Sequence, residues 1–459
     1  MANKTLTNVP SATDIHDTDN VIINQGNAVK QVPFSKLKTE SSESYNEENY
    51  YGVRITLANT SPDLTRIGLS GLHKTLPIQS GMRRCLLSDN GVVADYLGAT
   101  DSAVNAYGQK VALDGSAGQV MVEIPEHYRK FETTNAYIDV KLSTQPLAGF
   151  TRVPKMYVSA FEAALDRTSR KLSSVVNTTE QYRGGNNTSS WDGTYRSLLG
   201  MPATNISLTD FRTYARNRGA GWDCMTYEAQ KTIYWLFAAE YATLNSQKAY
   251  NAALDSNGYR QGGLGAGVTN FGNWSAYNSM NPFIPCGYTA SLGNATGVRT
   301  FALSAEQAAA YGSSHSESVP SYRGIENPFG HIWQWTDGVL NVVADGVSSA
   351  YICKDRNHYA SALNGYYVKH GEMPAGGGWI SKVIMGDDGD ILPSGCSGGD
   401  SGKFYCDYLW NTASAGTYGV RFGGGANGGA YCGFVYSVAN DAPSSAGADI
   451  GSRLCRHCA

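Results

Sequence analysis

Charge is scarce in this chain: only 16% of its 459 residues are Asp, Glu, Lys or Arg, and the formal net charge is −3. With a pI near 6.3 and no Lys/Arg run denser than the pair Arg83-Arg84, the chain lacks the basic face that nucleic acid requires. No stretch reaches the ~20 consecutive apolar residues that span a bilayer. The start, MANKTLTNVPSATD, lacks the charged-then-apolar layout of a signal peptide, so synthesis in a cytosol is expected. The nine cysteines are odd in number and scattered. Cys455-Arg-His-Cys458 has no second pair to complete a zinc site, and buried free thiols are expected. The eight histidines are dispersed and none falls in an H-E-x-x-H motif. His127, in Glu123-Ile-Pro-Glu-His-Tyr-Arg, has no second histidine beside it and reads as structural. Asp387, Asp388 and Asp390 in GDDGDI lack the frame of a calcium loop and read as solvated turn carboxylates.

What is abundant is glycine, at 52, and tyrosine, at 29. Such a profile fits a loop-rich or β-rich protein with a polar, uncharged surface, on which Tyr offers wide contact area at low entropic cost. At this length two or three domains are the prior. Residues 1–38 read as an N-terminal segment: strands at Asn20 to Asn24 and Ala28 to Phe34 about the turn Gln25-Gly26-Asn27, then a short Ser-started helix. Residues 39–50 are polar and read as a linker. Residues 51–150 carry strand alternation at Tyr51 to Leu57, Gln119 to Ile124 and Tyr137 to Leu142, predicting a β-rich intermediate domain.

Helices are expected in the last section, 151–459. One covers Ser159 to Leu172, with Phe161, Ala164, Leu165 and Leu172 on one face. A second covers Leu208 to Arg218, with Ser207 as N-cap, Asp210 in the first turn and Gly219 as the stop. A third starts at Thr226 and buries Ile233, Leu236, Phe237, Tyr241 and Leu244, leaving Trp235 and Glu240 on its flanks; the last two helices are expected to pack together against a sheet. Between Asn257 and Gly378 lies a Gly-, Asn- and aromatic-rich region with little helical period. Its run Gly262-Gly263-Leu-Gly265-Ala-Gly267 lacks the Lys-Ser/Thr of a phosphate-binding loop.

The segment 14–38 resembles the N-terminal segments of phage tail-fibre proteins, which pack as trimers against the tail. The run Asn327-Pro-Phe-Gly330-His-Ile-Trp333-Gln-Trp335 resembles the N-P-x-G-x-x-W-E-W signature of the formylglycine-generating-enzyme branch of the C-type lectin fold. Val420-Arg421-Phe-Gly423-Gly424 and Ile450-Gly451-Ser-Arg453 match later strands of that family, so the resemblance spans about 151–455. It implies an α+β chain with a C-type lectin-like domain in its C-terminal two-thirds, in which Trp333, Trp335, Arg421 and Arg453 are structural. The family's oxidase uses two cysteines; Cys432 stands at the first position and Ser437 at the second, which argues against oxidase chemistry.

The stretch GGGANGGAYCGFVYSVANDAPSSAGADIGSR more closely resembles the variable repeat of C-type lectin-fold proteins diversified by retroelements. At positions where that repeat places Asn codons, or where adenine-directed change would reach, stand Gly425, Asn427, Gly428, Tyr431, Tyr436, Ser437, Ala439, Asn440, Asp441, Ser445, Gly447 and Asp449. Val420, Phe422, Phe434, Val435, Val438 and Ile450 are the expected fixed anchors of an ordered display loop. The resemblance implies a phage receptor-binding protein of the virion tail, not an enzyme. It would be a homotrimer binding a host surface receptor through the variable region at 419–453 and tail proteins through its N-terminus, with no nucleic acid, no membrane insertion and no cofactor beyond an optional structural calcium. The alternatives are an enzyme on the same fold, either an oxidase or a capsule depolymerase, and a bacterial surface adhesin.

Overall fold

The computed structural model describes residues 20–25, 28–33 and 49–458. The chain divides into two compact units, 1–46 and 47–459. In the first, strands Asn20–Gln25 and Ala28–Pro33 pair antiparallel from Asn20↔Pro33 to Gln25↔Ala28, as the hairpin pattern predicts. The expected turn at Gly26-Asn27, the Ser-started helix and nearly all of the linker at 39–50 lie outside the described residues.

The second unit is largely β. A five-stranded antiparallel sheet runs in the order Thr151–Val153, His127–Thr133, Tyr137–Ser143, Tyr51–Thr56, Thr65–Gly68. A six-stranded sheet joins Trp222–Cys224, Leu454–His457, Met156–Ser159, Gln119–Ile124, Arg83–Leu87 and Val93–Tyr96. That sheet pairs strands from both sides of residue 150, so the boundary expected there does not separate two compact bodies. The largest sheet runs Val368–Met373, Val347–Ile352, Trp333–Ala344, Gly416–Gly423, Gly433–Asp441, Tyr408–Trp410, Gly378–Trp379, with Ile450–Gly451 paired in parallel to Trp333–Ala344. Among the described residues no helix is long and apolar enough to cross a membrane.

Helix Tyr227–Tyr241 lies between the five-stranded and the largest sheets. Thr226 caps it, accepting the Ala229 N–H. The flanks where Trp235 and Glu240 are expected are buried. Trp235 packs on Phe131 at 5.6 Å between ring centroids and donates to the Gly389 carbonyl at 2.7 Å. Glu240 is buried against Arg323 and the Tyr322 hydroxyl. A helix enclosed on all sides needs no single apolar stripe, which is why its periodicity understated its burial. Helix Leu208–Arg216 starts as expected, with Ser207 accepting the Asp210 N–H, and packs on strands Trp222–Cys224, Lys171–Ser173 and Trp333–Ala344. The region 257–378 carries helices Trp274–Asn278 and Ala305–Tyr311 and several strands of the sheets.

The helix expected over Ser159 to Leu172 is instead a strand end followed by a hairpin, Ala164–Asp166 against Lys171–Ser173. The Asp166 carboxylate accepts the N–H groups of Thr168 and Ser169, and Arg170 takes a left-handed backbone (φ 52°), which together turn the chain. Leu165 and Leu172 then face each other across the hairpin, a pairing that helical spacing mimics.

His127 is structural, as its surroundings in the sequence suggest: it is buried, with Nδ1 2.8 Å from the Pro125 carbonyl. Burial lowers its pKa to about 4, and burial likewise lowers that of His73 to about 4. Both groups fold neutral, so the unfolded chain binds more protons between about pH 6.5 and 4. Their contribution is complete above the ordinary histidine pKa and lost as pH falls through about 4. Chemical denaturation at pH 7 and pH 4.5 should show the pair losing a few kcal/mol, because each tenfold difference in proton affinity between the folded and unfolded chain is worth about 1.4 kcal/mol. Replacement of both by Asn or Gln should reduce that slope, leaving the part due to His457, whose pKa burial also lowers to about 4.

Candidate ligand-binding surface

The C-terminal stretch is held open by its neighbours. The Ala426 N–H donates to the His331 carbonyl, the Phe271 N–H to the Ala426 carbonyl, and the Gly429 N–H to the Thr269 carbonyl. Gln247 Nε2 donates to the carbonyls of both Gly429 and Cys432. The turn at 424–432 is therefore a rigid shelf, ending in one 3-10 turn at Gly429–Tyr431. From it strand Gly433–Asp441 enters the middle of the largest sheet, antiparallel to Gly416–Gly423 and parallel to Tyr408–Trp410.

The stretch is thus half shelf and half central strand, not a display loop throughout. The six expected anchors, Val420, Phe422, Phe434, Val435, Val438 and Ile450, are all buried. So are four positions expected to be variable: Gly425, Tyr436, Ser437 and Ala439. Ser437 and Ala439 are fully enclosed because a central strand has neighbours on both edges and packing on both faces. A Cβ on Gly425 would come within 3.0 Å of Trp274, and one on Gly428 within 2.5 Å of Cys432 Sγ. One on Gly447 would lie 2.7 Å from the Asp449 carboxylate. Asn427, Tyr431 and Asn440 are exposed, and Asp441, Ser445 and Asp449 are half-buried.

Around Tyr431 the fold gathers rings. Strand Gly378–Trp379 pairs with Tyr408–Trp410 so that Trp379 stands opposite Tyr408, while Leu409 between Tyr408 and Trp410 points into the core. Ring centroids lie 4.5 Å apart for Tyr408 and Tyr431, 5.0 Å for Trp379 and Tyr431, and 5.0 Å for Tyr408 and Trp410. The planes of these pairs are tilted by 48–51°. Trp410 Nε1 donates to the Tyr436 hydroxyl at 3.0 Å, and Tyr436 packs on Trp333 at 4.6 Å. Trp410 is 44% and Tyr431 38% exposed, so two large rings of one cluster face solvent. Both are anchored by neighbours that fix their rotamers.

Beyond Trp333 the Arg421 guanidinium lies 5.4 Å from the Trp333 ring centroid and 5.2 Å from that of Trp335, and is ion-paired to Asp441. Burial pulls the Arg421 pKa down, opposed by the charges of Asp441 and Asp449. Burial also raises the Asp449 carboxyl, and Arg421 opposes that rise. Trp335 is wholly buried, and Arg453 is buried across the sheet junction, so the four residues expected to be structural sit in or against the core.

Sequence reasoning singled out Tyr431 and Tyr436 but missed Trp379, Tyr408 and Trp410. The aromatic density of Tyr405-Cys-Asp-Tyr-Leu-Trp410 was the available signal. Other candidate sites resolve differently. Cys432 is buried, its thiol pushed up by burial, with Sγ 3.5 Å from the Gly425 carbonyl; Ser437 supplies no second thiolate. All nine cysteines are free, and seven of them are buried. Gly395-Cys-Ser397-Gly-Gly399 spells G-x-S-x-G, but it follows a strand without opening a helix, so it is not a nucleophile elbow. Asp390 is not a solvated turn carboxylate. It is buried, 2.6 Å from His370 Nδ1 and 3.2 Å from Lys231 Nζ. His370, Asp388 and Asp390 converge closely enough to hold a metal ion. Lys231 on Asp390 and Lys354 on Asp388 at 2.7 Å already neutralise both carboxylates, so the cluster fits an ion-pair network better than a cation site.

No family model matches the chain, and neither does any curated protein. Two solved structures share a weak likeness. PvdO from Pseudomonas aeruginosa aligns over 74% of this chain and 95% of its own at 12% identity, with a TM-score of 0.31. The U1 variant of the Major Tropism Determinant aligns over 96% of this chain and 92% of its own at 9% identity, with a TM-score of 0.26.

Proposed function

We propose that this chain is a receptor-binding protein of a bacteriophage tail or tail fibre, carrying a C-type lectin-like domain whose ring cluster meets the host surface. The observation that carries the reading is the packing of Trp379 and Tyr408, with Trp410 beside Tyr408, around Tyr431 on the rigid shelf that precedes the strand Gly433–Asp441. Half-exposed aromatic rings held in place by neighbours are the side chains that dominate recognition surfaces. Asn427 and Asn440, exposed in the same stretch, and Tyr431 are the positions a retroelement could exchange without disturbing the core. The lectin-like reading draws on the Asn327–Trp335 run, which turns through Gly330 (φ 74°) into the core strand beginning at Trp333. Attachment through the N-terminal segment, display as a homotrimer and a place in the virion belong to the same reading, as does the absence of enzymatic activity.

The test is adsorption of the purified full chain to bacterial cells. Exchanging Asn427, Tyr431 and Asn440 together should abolish adsorption or redirect it to another strain, while the thermal midpoint stays within a few degrees, since substitutions at exposed sites usually change stability by less than about 0.5 kcal/mol each. Unaltered adsorption by the triple variant would refute the assignment.

A further inference from the structure

We propose that the ring cluster is a saccharide-binding surface on which Trp379, Tyr408 and Trp410 set the ligand class and Tyr431 selects among its members. The inference rests on the receptor-binding reading and specifies what the receptor presents.

The rings divide by origin. Trp379, Tyr408 and Trp410 lie outside the diversified stretch, on two short strands locked to the largest sheet, with Trp379 opposite Tyr408 and Trp410 beside Val438. Tyr431 lies inside that stretch, on the shelf. A surface built half from a fixed wall and half from exchangeable positions keeps one kind of contact constant while varying another. The constant contact here is an aromatic face.

Aromatic faces carry the negative lobe of a quadrupole, which attracts the weakly positive C–H groups of an apolar partner. A pyranose offers a patch of C–H groups on one face and hydroxyls around its edge. Tyr408, Tyr431 and Tyr436 bring hydroxyls that both donate and accept, so the edge can be matched as well as the face. The tilts of 48–51° make the wall curved. It therefore suits successive non-coplanar sugar rings better than a flat nucleobase. A lipid tail would favour exposed aliphatic side chains, whereas Trp410 and Tyr431 are the exposed large apolar residues of the cluster. At the Trp333 end, the Arg421 guanidinium is paired with Asp441, so it is not free for a uronic or sialic carboxylate. The class indicated is neutral oligosaccharide.

The experiment applies the full chain to an array of linear neutral hexose and N-acetylhexosamine oligomers and of acidic oligomers. Retention on neutral members is expected. It should fall at least tenfold for Trp410→Ala, recover in large part for Trp410→Phe, and be unchanged for Tyr107→Ala, a ring 85% exposed that belongs to no part of the cluster. Unchanged melting of each variant shows that the fold is intact, and Tyr431→Ala provides a second variant if Trp410→Ala does not fold. No retention on neutral oligomers, or retention indifferent to Trp410 and Tyr431, overturns the inference. Cells that adsorb the chain separate this failure from failure of the receptor-binding reading. Adsorption destroyed by protease and not by periodate overturns the saccharide and leaves the receptor-binding reading standing. Array binding without adsorption to any cell supports the saccharide and sinks that reading.

Discussion

Arg453→Met should destabilise the chain by about 3–5 kcal/mol, the sum of several buried acceptors left unpaired at about 1–3 kcal/mol each. Its guanidinium is wholly enclosed. Nε donates to the Gln334 side chain at 3.0 Å, one terminal nitrogen to the Ser159 carbonyl at 3.3 Å, and the other to the carbonyls of Glu326 and Asn327. One side chain thereby ties the turn before strand Trp333–Ala344 to the last strands of the molecule and to the strand Met156–Ser159. Methionine fills much of the volume and satisfies none of these oxygens. Lysine should rescue little, because a single ammonium cannot reproduce a planar fork aimed at three segments. Urea denaturation measures the effect; a midpoint unchanged in Arg453→Met would mean that the junction is held by packing alone.

Removing two rings at once, Tyr408→Ala with Trp410→Ala, should reduce adsorption to cells by a hundredfold or more. Recognition surfaces concentrate their energy in a few anchored aromatic residues, each worth about 2 kcal/mol or more when truncated. The substitution also strips Tyr431 of its neighbour at 4.5 Å and Tyr436 of its hydrogen-bond donor, so the remaining rings lose their fixed orientation. Leu409, the buried residue between them, is untouched, and the fold should persist. A binding assay alongside a melting curve separates the two effects. Loss of binding accompanied by loss of folding would leave Trp410→Phe as the informative variant, with adsorption expected to survive.

Local signals were the legible part of the fold. The caps Ser207 and Thr226 and the strand alternations at Tyr51, Gln119 and Tyr137 act over a few residues, and each appears where its pattern stands. The hairpin Ala164–Ser173 was illegible because its apolar spacing satisfies a helix equally well; an aspartate-centred turn and one left-handed residue decided the matter. The fixed anchors around the C-terminal stretch were readable from their alternation with small residues. The enclosure of Ser437 and Ala439 was not, since it depends on Tyr408–Trp410 arriving in parallel beside Gly433–Asp441 from some 30 residues earlier in the chain. The same non-local pairing builds the ring cluster, which is why two of its members could be named in advance and three could not.

Oxidative footprinting of the full chain, free and adsorbed to cells, tests the central claim most directly. Hydroxyl radicals label exposed aromatic rings, and Trp410 and Tyr431 are exposed where Tyr107 and Tyr366 are exposed elsewhere. Protection of Trp410 and Tyr431 on adsorption, with Tyr107 and Tyr366 labelled as before, is the expected result. Full labelling of Trp410 and Tyr431 in the adsorbed protein would contradict the account and move the binding surface to another part of the molecule.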